Sequence, residues 1–264
     1  MVSSRGMTVV YVLAHFDDEY FALPLIRRAL AKGHEHLFVH VVDYRDPEMG
    51  SRRRRETGAF LAAQGVPAAA QIHLGADTGW WDGELHRYAA SAYEALKAAV
   101  PGPVERVVVP AWEGGHPDHD VCAAMGVKLA AERGGAPVDQ ICLYQGKGLP
   151  WIFYRACSPL AENGPAEAMR LSVGEWARWL AAVGAFPSQL KAWSGLLPGM
   201  AMTFARQGSF RYQALDSRRI GDRPHEGGLL YERMFKTPYP VVRAAIDTLA
   251  ADGKAPWKTP GTAA

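Results

Sequence analysis

Two short stretches of the sequence concentrate side chains that can bind a metal ion or move a proton. The first, residues 14–19 (AHFDDE), follows the β-branched and apolar run Thr8–Leu13, which predicts a buried strand. Helix capping is the ordinary role of an aspartate at such a place, and it explains one or two of the acids. Capping leaves His15 unexplained, so the strand end favours a functional site.

The second stretch, residues 114–119 (GGHPDH), follows another apolar run, residues 106–110 (RVVVP). A turn built from Gly-Gly and Pro-Asp is ordinary loop chemistry, and a single histidine is more often a surface residue than a ligand. Here two histidines flank Asp118, a combination that suits one metal ligand together with an oriented acid or base.

Strand and helix patterns alternate up to residue 145, which is typical of βαβ units on a parallel sheet. We predict an α/β fold, a Rossmann-like, doubly wound and mostly parallel sheet of strand order 3-2-1-4-5 with helices on both faces. In that order strands one and four are neighbours, and ligands bind at the carboxyl ends of such a pair. The two motifs would then face each other across one cleft. The predicted strands are 8–13, 36–42, 71–74, 106–110 and 140–144, and the helices are 20–32, 52–64 (capped by Ser51), 85–100 and 120–132.

After residue 145 the alternation fades. Helices are predicted for residues 172–185 and 241–251, and a strand for residues 209–215. We expect one domain, 1–264, with an α/β core at about 8–145 and a C-terminal elaboration at about 146–255 that shapes the pocket.

Composition narrows the class of protein. The chain has 264 residues and a net charge of +2, which is too small to argue for a nucleic-acid partner. No run is long enough for membrane insertion, and residues 1–7 lack the apolar segment of a signal peptide. The three cysteines form no CxxC pair, which favours a soluble, cytoplasmic protein.

The residue types point to a metal. Two imidazoles and one carboxylate, with a position left open for water, describe a catalytic zinc site, and an adjacent acid can take the proton of that water. The same set also forms the facial triad of non-haem iron oxygenases. A nucleotide-binding Rossmann protein is disfavoured because no G-x-G-x-x-G follows the first strand.

The motifs resemble those of the LmbE-like (PIG-L) zinc-dependent N-deacetylases. The family's AHPDDE reads AHFDDE at 14–19, and its HPDH is intact at 116–119. Arg53 and Glu56, followed by Gly65-Val66, resemble its R-x-x-E…G-V helix, and residues 82–85 (DGEL) resemble its D-G-x-L loop. Residues 188–189 resemble a weaker SQ signature. The resemblance covers roughly residues 8–145.

This resemblance implies a role for each motif residue. His15, Asp18 and His119 would bind one Zn²⁺ per chain, and Asp17 would be the general base. His116 would stabilise the oxyanion or protonate the leaving amine, with Asp118 orienting it.

The implied substrate is a small N-acylated molecule, most plausibly an amino sugar or a glycoside-like metabolite, which loses an acetyl or other acyl group. A catalytically silent sugar-binding module is a further alternative. Phe16 stands where the family has proline, and its ring is expected to form part of the pocket wall. Together with Phe16, the expected substrate-binding residues are Arg53, Trp80, Trp81, Asp82 and Trp112.

Overall fold

The order of the strands brings the two motifs together. The computed structural model describes residues 8–258, and within that range the central sheet has seven strands in the order β3-β2-β1-β4-β5-β9-β8. The first five are parallel, which confirms the predicted order 3-2-1-4-5, and β9 and β8 extend the sheet antiparallel. The expectation for residues 1–7 lies outside the described residues. The sheet strands are β1 (Thr8–Leu13), β2 (Glu35–His40), β3 (Gln71–His73), β4 (Arg106–Pro110), β5 (Val138–Ile141), β8 (Ala166–Arg170) and β9 (Ser209–Ala214), while β6 (Tyr144–Gln145) and β7 (Arg155–Ala156) form a separate pair.

Helices cover both faces of the sheet, as predicted. Side chains of β1 alternate between the faces: Val10 and Val12 pack with α4, α5 and α9, whereas Val9, Tyr11 and Leu13 pack with α1, α2, α3, α6 and α7. All five are buried. The helices are α1 (Asp18–Phe21), α2 (Leu23–Ala31), α3 (Pro47–Ala63), α4 (Ala89–Ala99), α5 (Pro117–Glu132), α6 (Val173–Ala181), α7 (Leu190–Gln207), α8 (Leu230–Met234) and α9 (Tyr239–Thr248).

Two helices begin earlier than predicted, each at a proline. α3 starts at Pro47 rather than after Ser51, and Asp46 caps it by accepting a hydrogen bond from the Glu48 amide at 3.0 Å. α5 starts at Pro117 rather than near residue 120. Proline suits the first helical position because its fixed φ is helical and its missing N–H would be unpaired there. Asp118 and His119 therefore belong to the rigid first turn of α5 and not to a loop.

The C-terminal part adds elements that the sequence did not predict. β8 is an exposed edge strand, and α7 contains Pro198 and carries no side-chain cap. In residues 8–258 no helix combines the length and the apolar character that crossing a membrane requires.

The close packing of α5 on β4 gives a test of the fold. A Cβ added at Gly126 would lie 2.2 Å from Cγ1 of Val109, a stiff, buried side chain. We expect Gly126→Ala to lower the free energy of unfolding, measured in urea, by about 1–3 kcal/mol. Gly58→Ala in α3 is the matched control, since its added Cβ would have no neighbour closer than 3.6 Å. That substitution should stabilise by about 0.5–1 kcal/mol; the same gain at both positions would contradict the packing.

Candidate metal and catalytic site

The segments that follow β1 and β4, including the first turns of α1 and α5, bring three predicted ligands close together. Nδ1 of His15 lies 3.1 Å from Nε2 of His119, and that Nε2 lies 3.2 Å from Oδ1 of Asp18. Nδ1 of His15 is also 3.7 Å from Oδ2 of Asp18. Donor atoms bound to one metal ion at 2.0–2.1 Å in a tetrahedron are about 3.3 Å apart. The spacing therefore fits a single small cation.

The carboxylate of Asp18 is fixed by the backbone of its own loop. Its Oδ2 accepts hydrogen bonds from the amides of Ala14 at 3.0 Å and His15 at 2.9 Å. Oδ1 is left to face His119. Burial opposes ionisation of Asp18, but His119 and His15 hold its pKa well below the usual range.

Asp118 contacts His15, where the sequence predicted contact with His116. Its Oδ2 lies 3.3 Å from Nε2 of His15 and 3.9 Å from Nδ1 of His116. The same carboxylate accepts hydrogen bonds from the amides of Gly83 at 2.7 Å and Leu85 at 3.0 Å. A carboxylate on the outer nitrogen of a histidine is the usual way to orient a metal ligand.

His116 is held as a neutral imidazole by its place at the start of α5. It is the N-cap, and its Nδ1 accepts a hydrogen bond from the Asp118 amide at 3.2 Å. Burial and the neighbouring His15 lower the pKa of His116 to about 3. Because Nδ1 is an acceptor in the neutral ring, the proton is on Nε2, and His116 can donate a hydrogen bond.

The charges around His15 favour a bound cation. Burial alone would lower its pKa, but Asp82, Asp118 and Asp18 outweigh burial and raise it well above the usual range. Oδ1 of Asp82 lies 3.1 Å from Nε2 of His15. His116 is near as well, since one nitrogen of each of the three imidazoles lies within 4.8 Å of the others. Buried imidazoles among carboxylates are the donor set of a divalent metal ion.

Asp17 sits on a strained backbone beside these ligands. Its φ is 134°, a value that residues with a side chain rarely adopt, and such strain clusters at functional sites. Glu19 accepts a hydrogen bond from the Asp17 amide at 3.2 Å, and Gln189 donates one to the carbonyl of Phe16 at 2.6 Å. Burial, followed by the charges of Asp18 and Glu19, raises the pKa of Asp17 well above its usual range.

The ligands open into a cavity of about 220 Å³. Arg53 and Asp82, two of the residues expected to contact a substrate, line it together with Asp17. The guanidinium of Arg53 stacks on the ring of Tyr44 at 4.1 Å, and its buried Nε has no hydrogen-bond partner among the described residues.

Four other predicted substrate residues do not line this cavity. The ring of Phe16 is fully buried and packs 5.2 Å from the rings of both His40 and His73. Trp112 is fully buried in the core, and Trp80 is 8% exposed. Trp81 packs against Arg45, whose guanidinium carbon is 5.7 Å from its ring. These side chains are therefore placed as packing groups.

Sequence reasoning missed most of the opposite wall. The missed residues lie in α1, after β5, at the start of α7 and after α8, and none belongs to a recognised motif; they are Phe21, Leu143, Tyr144, Ala192, Leu196 and Phe235. Ser188 could have been identified from the sequence, because it belongs to the SQ signature. Its amide donates a hydrogen bond to Glu56 of the R-x-x-E helix at 3.0 Å, which ties α3 to the start of α7.

Comparison with known proteins agrees with this architecture. Residues 10–130 match the family model described as PIG-L: GlcNAc-PI de-N-acetylase. No curated protein matches the sequence. Three similar solved structures are a deacetylase–teicoplanin complex (15% identity, TM-score 0.57, covering 79% of this chain and 97% of that one), the A40926 pseudoaglycone deacetylase Dbv21 (18%, 0.57, 80% and 97%) and N,N'-diacetylchitobiose deacetylase from Pyrococcus horikoshii (16%, 0.54, 80% and 84%).

Residues 10–130 are thus similar to the PIG-L family, and the fold is that of the deacetylases named above.

The ligand geometry predicts which histidines a metal ion needs. We expect His15→Ala and His119→Ala each to abolish stoichiometric metal binding, measured by metal analysis after loading with Zn²⁺. His34→Ala is the control, because His34 pairs with Glu105 at the opposite end of the sheet. Full occupancy in His15→Ala would refute the ligand assignment.

The contact between Asp118 and His15 predicts a second effect. Asp118→Asn should weaken Zn²⁺ affinity by about 10–100-fold, because an orienting partner of a ligand is lost. Competition with a chromophoric chelator measures this affinity. If affinity is unchanged while turnover falls, Asp118 acts on His116 instead.

Proposed function

We propose that this chain is a zinc-dependent hydrolase that removes an acyl group from an N-acylated amino sugar or glycoside-like metabolite. The observation that carries the proposal is that Nε2 of His119 lies 3.1 Å from Nδ1 of His15 and 3.2 Å from Oδ1 of Asp18, beside the strained Asp17. These three side chains would hold one zinc ion per chain.

Two features favour amide hydrolysis over an iron oxygenase, which would use the same donor types. Asp17 is a carboxylate next to the ligands, and burial raises its pKa, which suits a group that accepts a proton. His116 offers an N–H donor next to the same ligands. An oxygenase would require neither group.

The proposed roles of the protein residues follow from their positions. When bound, zinc would polarise the amide carbonyl and lower the pKa of the attacking water. Asp17 takes a proton from that water while the oxygen of the water attacks the carbonyl carbon. His116 donates its Nε2 proton in a hydrogen bond to the oxyanion, a contact that is strongest in the transition state. Asp17 then gives its proton to the nitrogen, the C–N bond breaks, and a carboxylic acid and an amine leave.

The polar side of the cavity supports a sugar-like amine component. Arg53 lines the cavity with a guanidinium, and Asp82 has a carboxylate that is 39% exposed; both groups pair with hydroxyls. The family description and the name of the Pyrococcus horikoshii relative both refer to N-acetylated sugars. We therefore propose that Arg53 and Asp82 contact the sugar.

The mechanism predicts that Asp17 is needed for turnover but not for metal binding. We expect Asp17→Asn to keep its zinc and to lower kcat on N-acetylglucosamine by about 10²–10⁴-fold, because the base is lost. Released amine and metal content are measured on the same sample.

Asp77→Asn is the matched control, since Asp77 is exposed on a nearby loop and does not line the cavity. Unchanged turnover in Asp17→Asn would refute the base assignment. Oxygen consumption without amine release would refute the hydrolase.

A further inference from the structure

Polar and apolar side chains both line the cavity. Arg53, Asp17 and Asp82 are polar and are called the polar side below. The apolar set, called the apolar wall below, consists of Phe21, Leu143, Tyr144, Ala192, Leu196 and Phe235. An amide substrate also has two parts, the acyl group and the amine component. The contacts of the apolar wall indicate which part binds to which side chains.

Two residues of the apolar wall contact the histidines of the site directly. The ring of Phe235 meets the ring of His116 edge-on with centroids 4.3 Å apart. The ring of Tyr144 meets that of His119 at 5.8 Å. A substrate group attached directly to the reacting carbon would therefore contact this wall.

The part of the wall after β5 is held in place by a buried acid. Oε1 of Glu113 accepts hydrogen bonds from the amides of Leu143 at 2.8 Å and Tyr144 at 2.9 Å. Gly115 passes so close that an added Cβ would lie 2.0 Å from the carbonyl oxygen of Tyr144. Leu143 and Tyr144 are thus fixed to the same loop that supplies His116.

The remaining wall residues are tied to the site by backbone contacts. The amide of Leu230, at the start of α8, donates to the carbonyl of Gly114 at 2.9 Å, which sets the position of Phe235 five residues on. Gln189 binds the carbonyl of Phe16 and so fixes the start of α7, which carries Ala192 and Leu196. The wall is a preformed surface, which is what binding an apolar group requires.

We infer that the acyl group removed by this chain is longer than acetyl and lies along the apolar wall. This inference rests on the proposed function. The hydroxyls of an amino sugar need the polar side, since leaving them unpaired against apolar side chains is unfavourable. The acyl group is then the part that faces the wall, and a single methyl group would leave most of the wall uncovered.

The test compares N-acetyl-, N-butyryl- and N-hexanoylglucosamine with the zinc-loaded protein, by measuring released amine. Each buried methylene group should raise kcat/KM by about fourfold, so butyryl should exceed acetyl by about tenfold or more. A kcat/KM that is highest for acetyl and falls with chain length would overturn the inference but not the proposed function. Release of amine from none of the three would overturn both.

A pair of tryptophan substitutions on α7 tests the location. Ala192→Trp places a large ring at the wall and should lower the ratio of hexanoyl to acetyl kcat/KM by at least about tenfold. Ser194→Trp is the matched control, because Ser194 is exposed on the same helix and does not line the cavity, so its ratio should equal that of the unmodified protein. An unchanged ratio in Ala192→Trp would place the acyl group elsewhere and overturn the inference.

Discussion

The carboxylate of Asp118 is the contact on which the site depends most. It is fully buried, and it joins three segments that are distant in sequence: His15 after β1, Gly83 and Leu85 before α4, and its own first turn of α5. A buried carboxylate without partners is strongly unfavourable, so the loops must close around it. Once they do, the ring of His15 is oriented, and its Nδ1 points to His119 and Asp18.

The sequence was sufficient to predict this half of the molecule because its patterns are local. β1 is buried on both faces, so its apolar run is continuous, and alternation with helices predicts a parallel sheet. The order of strands then places residues 14–19 opposite residues 116–119 without further information. The start of α3 was misplaced because Ser51 was taken as its cap, and the start of α5 was placed near residue 120, although Pro47 and Pro117 carry the stronger signal.

Contacts that depend on tertiary packing could not be predicted in the same way. Phe16 and Trp112 follow strands at the site edge, yet both rings turn into the core, and a motif position does not reveal the direction of a side chain. The partner of Asp118 is another example: two histidines are compatible with the sequence, and only the fold decides between 3.3 Å to His15 and 3.9 Å to His116. The apolar wall was missed because a backbone hydrogen bond from Leu230 positions α8, and the side chain of Gln189 positions α7 by donating to the carbonyl of Phe16. Neither contact reveals from the sequence which apolar side chains line the cavity.

These two kinds of contact divide the site between chemistry and selection. The proposed ligands and base are held by carboxylates and by a strained loop. These polar contacts tolerate little change, because the loss of any one of them leaves a buried group unpaired. The apolar wall is held mainly through the backbone, and its side chains can change in size without breaking a hydrogen bond. Under the proposed function, the catalytic geometry of the α/β core would constrain the acyl group only at the reacting carbon, and Ala192, Leu196 and Phe235 of the C-terminal part would select the rest of it.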